Sequence, residues 1–170
     1  FGSSSAAIRL WICTAMTAAA FDFALRVAES IAFGLHSALA ITEPCHGAVE
    51  YSFNSPGSLP TWFWPVAGVM LAAVSAANWL GSPGVVLGAQ AYIVAFHSGG
   101  VFWHLRLKHH PVTGVSPGVF VVMAAAVAAL RVGVAVALLG TVVCAAVGVG
   151  LGLVLVRPPK VTEKDAPLLA

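Results

Sequence analysis

Four stretches of this chain, residues 6–42, 61–80, 85–105 and 118–156, are mainly apolar for 20 residues or more; the middle two carry no charge, the last only Arg131, and the first Arg9, Asp22, Arg26 and Glu29. A helix needs about 20 mainly apolar residues to cross the hydrocarbon core of a bilayer. Runs of that length must be shielded from water from end to end, so they restrict the fold more than any other feature. Composition agrees: 59% of the 170 residues are hydrophobic and 8% are charged, against about 25% charged in a soluble domain. Eight Lys and Arg with six Asp and Glu cannot wet a soluble enzyme of this size. A net charge of +2 is also too small for electrostatic binding of nucleic acid. The runs are continuous rather than alternating, which excludes a transmembrane β-barrel. Satisfying the backbone in lipid then leaves α-helices. The expected fold is an all-α integral membrane bundle.

Turn signals divide the chain. Residues 43–60 are polar and carry Pro44, Pro56 and Pro60; Gly81-Ser82-Pro83-Gly84 is a tight turn; residues 106–117 are basic and include His109-His110-Pro111; Arg157-Pro158-Pro159 opens a polar tail. Spans are predicted at about 23–42, 61–80, 85–105, 117–131 and 134–156: four main helices, with a fifth produced by a break near Arg131-Val132-Gly133. Asp22, Arg26 and Glu29 lie in the middle of the first run, so its span is expected to start near Phe23. Residues 6–20 would form an N-terminal extension or shallow interfacial helix anchored by Arg9 and Trp11; the alternative is one long tilted helix. Tracing the hairpins gathers loops 43–60 and 106–116 and the tail 157–170 on one side. Arg106, Lys108, Arg157, Lys160 and Lys164 make that side positive, hence stromal, matrix or cytoplasmic. Trp62, Trp64 and Trp103 suit an aromatic belt there. The chain opens on Phe1, and residues 2–7 do not form a signal peptide. The expectation is either a removed targeting segment or a sequence that starts partway along a longer chain, in an organellar membrane, thylakoid or mitochondrial inner.

Charges inside a membrane segment cost about 2.5–3.5 kcal/mol each on insertion scales, so their spacing carries information. Asp22, Arg26 and Glu29 step by four and three residues along one helical face, which also carries Phe33 and His36. That pattern predicts ion pairs from Arg26 to Asp22 and to Glu29. They serve either to dock the first helix, to contact a partner subunit, or to line a proton or ion path. Gln90, His97 and His104 form a second stripe with seven-residue steps. His97 and His36 fall at similar depths, so two imidazoles could ligate a haem iron, or one a chlorophyll magnesium; a ring bonded to a backbone carbonyl is the plainer alternative. Glu43, Cys45, His46, Glu50, His109 and His110 are metal-capable, but their spacing matches no zinc pattern. Cys13 and Cys144 lie in apolar runs and read as small hydrophobes, which leaves Cys45 as the candidate reactive thiol. There is no phosphate-cradling loop, nucleophile elbow or HExxH, so no catalytic residue is assigned. Gly99, Gly100, Gly148 and Gly152 suit close helix packing.

The stretch Ala91-Tyr-Ile-Val-Ala-Phe-His97-Ser-Gly-Gly, a short basic loop, Pro117 and an apolar helix ending in Arg131 resemble the DoxX-like small membrane proteins. The helix that starts at Pro65-Val-Ala-Gly68 resembles their second span, so the similarity covers about residues 23–131. The resemblance implies a four-helix bundle, sometimes tied to quinone or thiol redox systems, with no defined catalytic residues to carry over. The Asp22, Arg26, Glu29 stripe, the N-terminal extension and the C-terminal helix depart from that family.

Together these readings lead to one expectation. The chain is a non-catalytic accessory subunit of a larger membrane complex, photosystem or respiratory, in contact with other membrane subunits, with lipid, and with chlorophyll or haem if a histidine ligates. The alternatives are a redox-linked membrane component and a small transporter or proton-handling protein.

Overall fold

A computed structural model describes residues 3–42, 55 and 57–157. Among these residues the chain forms five long helices and no strand. They are α1 (Ser3–Ile41), α2 (Phe63–Leu80), α3 (Pro83–Arg106), α4 (Val115–Val132) and α5 (Val134–Leu155). A short 3-10 turn, Pro111–Gly114, leads into α4. All five helices include a stretch long and apolar enough to cross a membrane. The fifth is a full-length helix of 22 residues, so the bundle has five members of equal standing by length and composition.

The first helix differs from the expected split into extension and span. It is a single helix of 39 residues, about 58 Å long at 1.5 Å per residue. Its first glycine is Gly34 and it contains no proline, so nothing in the covalent chain interrupts it. Side chains from Thr14 to Phe21 are exposed apart from half-buried Ala18, and burial begins at Asp22. The polar residues mark where the helix enters the bundle rather than where it starts. The side chains of Arg9, Trp11 and Cys13 lie outside the described residues.

Packing follows the hairpins. α1 lies along α2 and touches α4, α3 lies against α4 and meets α2 through the hairpin, and α5 covers α3 and α4. The central core joins Phe33 of α1, Leu71 and Val74 of α2, Ala89, Ile93 and Val94 of α3, and Ala124 of α4. Pro83 occupies the first turn of α3, where its missing N–H costs nothing, and Gly81 closes α2.

Two glycines set how α5 is placed. Gly133 separates α4 from α5 with φ +83° and ψ 156°, a conformation that side chains oppose. Gly148 of α5 lies so close to the Ala95 carbonyl of α3 that a Cβ there would overlap it. The Gly99 side of α3 meets the Gly148 backbone, and Gly152 meets the ring of Phe102. This small-residue seam brings α5 onto α3.

One end of the bundle has its own core of Ala40, Leu59, Trp64, Trp103 and Val156. Trp64 and Trp103 are therefore not belt residues: they are 8% and 6% exposed, and Trp103 Nε1 donates to Ser58 Oγ at 3.1 Å. The segment around Ser58 folds over them and also accepts a bond from the Arg157 backbone N–H at 2.8 Å. Trp62 stays 54% exposed, as a belt residue would. Residues 43–54, which carry Glu43, Cys45, His46 and Glu50, and the tail 158–170 lie outside the described residues.

Candidate functional site

Two linked polar clusters occupy the α1 face that the sequence singles out. In the first, Asp22 is shared by two arginines. Arg26 Nε donates to Oδ2 at 2.9 Å; Arg131 of α4 donates from Nε to Oδ1 and from Nη2 to Oδ2, both at 2.8 Å. The Arg131 contact is the bidentate fork that a planar guanidinium makes with a carboxylate. Arg26 also donates to the Asn78 backbone carbonyl, which ties in α2. The Asp22, Arg26 and Arg131 side chains keep 12%, 19% and 21% of their exposure, so the trio sits at the rim of the bundle.

The second cluster is fully buried. Glu29 is 0% exposed, and Asn78 and Gln90 are each 2% exposed. Asn78 Nδ2 and Gln90 Nε2 each donate to Glu29 Oε2 at 3.0 Å, and Gln90 Nε2 also donates to Asn78 Oδ1 at 3.0 Å. Glu29 Oε1 and Gln90 Oε1 have no partner and no contact with solvent. The expected Arg26–Glu29 ion pair is replaced by this arrangement: Arg26 turns back to Asp22 and across to Asn78, while Glu29 takes amide donors from α2 and α3. Beside Glu29, Ser30 Oγ donates to the Ser75 carbonyl at 3.4 Å, and Ser75 Oγ to the Ser30 carbonyl at 2.9 Å.

The histidine stripe of α3 is divided among three environments. Gln90 joins Glu29. His97, 5% exposed, holds Nδ1 2.9 Å from the Ile93 carbonyl. Its ring packs on Phe33, Phe96 and Phe120 with centroids 5.0–5.1 Å apart. His36 lies in the same aromatic cluster, 6.4 Å from both Trp64 and Phe96. The structure thus brings the two candidate ligands together, but a tetrapyrrole would have to displace the phenylalanines around His97. His104 lies elsewhere, at the loop end, with its Nδ1 2.9 Å from Nδ1 of His109; one of the two nitrogens carries the proton. His109 Nε2 meets Ser55 Oγ at 2.7 Å, while His110 Nδ1 accepts from the Val112 N–H. The adjacent pair His109-His110 therefore diverges. Among the described residues no group of three His, Cys, Asp or Glu is placed to hold a metal.

An apolar cavity of about 210 Å³ opens between α3, α4 and α5, beside Gln90, Val94, Ala124, Thr141 and Cys144. Cys144 is a half-buried free thiol.

Asn78 and Arg131 are the site residues that sequence reasoning missed. Asn78 is the one strongly polar side chain in its span, which is a signal in itself. Arg131 is visible as the only charge in its run, but it reads as a helix break.

No protein-family model, curated protein or solved structure matches this chain. Its class follows from the helices alone: among the described residues, an all-helical bundle that fits an integral membrane protein.

Proposed function

We propose that this chain is a non-catalytic subunit embedded in a larger membrane complex. The observation that carries the reading is how the chain uses its polar groups within the spans. Asp22, Arg26, Asn78, Gln90, Ser30, Ser75, Arg131 and His97 all bond to other groups of the same chain. All but His97, which bonds within its own helix, hold helices together, as polar side chains do between membrane helices. Meanwhile the outer faces of α1 and α5 present Phe23, Ile31, Leu35, Leu39, Val143 and Leu151, all about half exposed or more. Such faces suit acyl chains and neighbouring apolar helices alike.

Extraction in mild detergent followed by native electrophoresis tests the reading. The chain should migrate with other membrane proteins, whose identity names the complex and the membrane. A stable, monodisperse monomer without companions would overturn it. The visible spectrum of the same material reads out the expected chlorophyll or haem, and absence of Soret and chlorophyll bands removes His36, His97 and His104 as ligands. The basic segments 106–116 and 157–170 are proposed to face the cytoplasmic, stromal or matrix side.

A second reading, a proton- or cation-handling protein, is favoured by Glu29, a carboxyl sealed inside the bundle with one oxygen unpartnered. Flux into liposomes that falls in Glu29→Gln would support it, and unchanged or absent flux would count against it.

A further inference from the structure

We infer that Glu29 and Gln90 form a proton-binding site, in which a neutral Glu29 carboxyl closes a hydrogen-bonded ring with the Gln90 carboxamide. An acid and an amide pair in a defined way. The acid carbonyl oxygen accepts from the amide N–H, and the acid O–H donates to the amide oxygen. Half of that ring is already in place, because Gln90 Nε2 donates to Glu29 Oε2 at 3.0 Å. The other half would join Glu29 Oε1 to Gln90 Oε1, and these are the two buried oxygens without partners.

The chemistry of the two orphans points to a proton. An ionised carboxylate and an amide oxygen are both acceptors and cannot bond one another. Each buried acceptor left unsatisfied costs about 1–3 kcal/mol, and one proton on Oε1 satisfies both. Turning the Gln90 amide over gives no relief, because its oxygen would then face Glu29 Oε2 and Asn78 Oδ1, where Nε2 now makes two bonds. Both orphan oxygens are sealed from solvent. A hard cation would gather about six oxygens, and only two unpartnered side-chain oxygens are present among the described residues. With the proton in place, every polar atom of Glu29, Asn78 and Gln90 has at least one partner.

The charged neighbours leave Glu29 to the amides. Asp22 and Arg26 precede it on α1, and Arg131 reaches in from α4; both guanidiniums are committed to Asp22. From α2 and α3 the groups that bond to this part of α1 are Asn78, Ser75 and Gln90. The trio's side chains keep 12–21% of their exposure, whereas Glu29 is sealed, so the surplus positive charge lies nearer the surface than the carboxyl. The binding step is simple: a proton adds to the Glu29 carboxylate, forming one O–H bond and releasing nothing. It holds for a stored proton and a transported one alike, and does not depend on any partner subunit.

Infrared spectroscopy of the full chain in mild detergent reads this state, with and without 13C-labelled glutamate. At neutral pH the wild type should show a protonated-carboxyl C=O band that moves with the label and is indifferent to added sodium. The band should be lost in Glu29→Gln and kept in Asp22→Asn. Gln90→Leu, which leaves Glu29 intact, should shift the band as its hydrogen bond disappears. Glu29→Gln should melt close to the wild type, since its amide N–H can donate to Gln90 Oε1 in place of the proton. The inference is overturned if the wild type shows only carboxylate bands, if sodium abolishes the acid band, or if Gln90→Leu leaves the band where it was. Because the labelled wild-type spectrum needs no variant, a variant that fails to fold does not blunt the test.

Discussion

Asp22 accepts three charge-assisted hydrogen bonds, two of them from a residue 109 positions away. Exchanging the pair, Asp22→Arg with Arg26→Asp, would keep the local i,i+4 attraction but set one guanidinium against that of Arg131. The double exchange should therefore lower the thermal midpoint in detergent, and adding Arg131→Asp should restore part of the loss. If the double exchange alone melts like the wild type, the Arg131 contact contributes nothing. Asp22→Asn is expected to cost about 1–2 kcal/mol, toward the lower end for bonds to charged groups because the trio keeps some exposure; chemical unfolding in detergent measures it. The Asp22–Arg26 pair is legible in the sequence because four residues make one helical turn. The Arg131 and Gln90 contacts are not legible, because they depend on which helices become neighbours. Arg26–Glu29 shows the limit of local spacing: three residues put the two side chains on one face, yet amides from α2 and α3 claim the carboxyl.

At the scale of helices, turns and seams decide the outcome. The break between α4 and α5 can be read from Gly133 inside a 39-residue apolar run, since two spans need about that length. Gly133→Ala puts a side chain at φ +83° and should destabilise the chain by about 1 kcal/mol or more. Along α5 the glycines are not equivalent. Gly148→Leu should force α5 away from α3 and expose Cys144 to alkylation, whereas Gly150→Leu, with nothing within 4 Å and away from the cavity beside Cys144, should leave the labelling rate unchanged. Equal labelling of the two variants would remove the α3–α5 seam. The extent of α1 was hidden by its own polar stripe, which resembles a boundary in sequence. In the structure the stripe is bonded from the side by α2, α3 and α4, so the helix continues through it. Likewise Trp64 and Trp103 look like interfacial anchors until the segment around Ser58 is seen to cover them.

Over the whole molecule, the apolar runs announce helices for a bilayer, while the arrangement of those helices rests on contacts too distant in sequence to read. Everything turns on α1 and α5 presenting apolar faces to lipid while Glu29, Asn78 and Gln90 stay inside. Spin labels placed singly in vesicle-inserted protein, with Cys13, Cys45 and Cys144 replaced by serine, measure this through oxygen and nickel-chelate accessibility. Labels at Leu35, Leu39, Val143 and Leu151 should collide with oxygen and not with nickel, and a label at Ala89, 6% exposed, should collide with neither. Strong nickel collisions at Leu35 and Val143 would mean that these faces meet water, and would contradict the account.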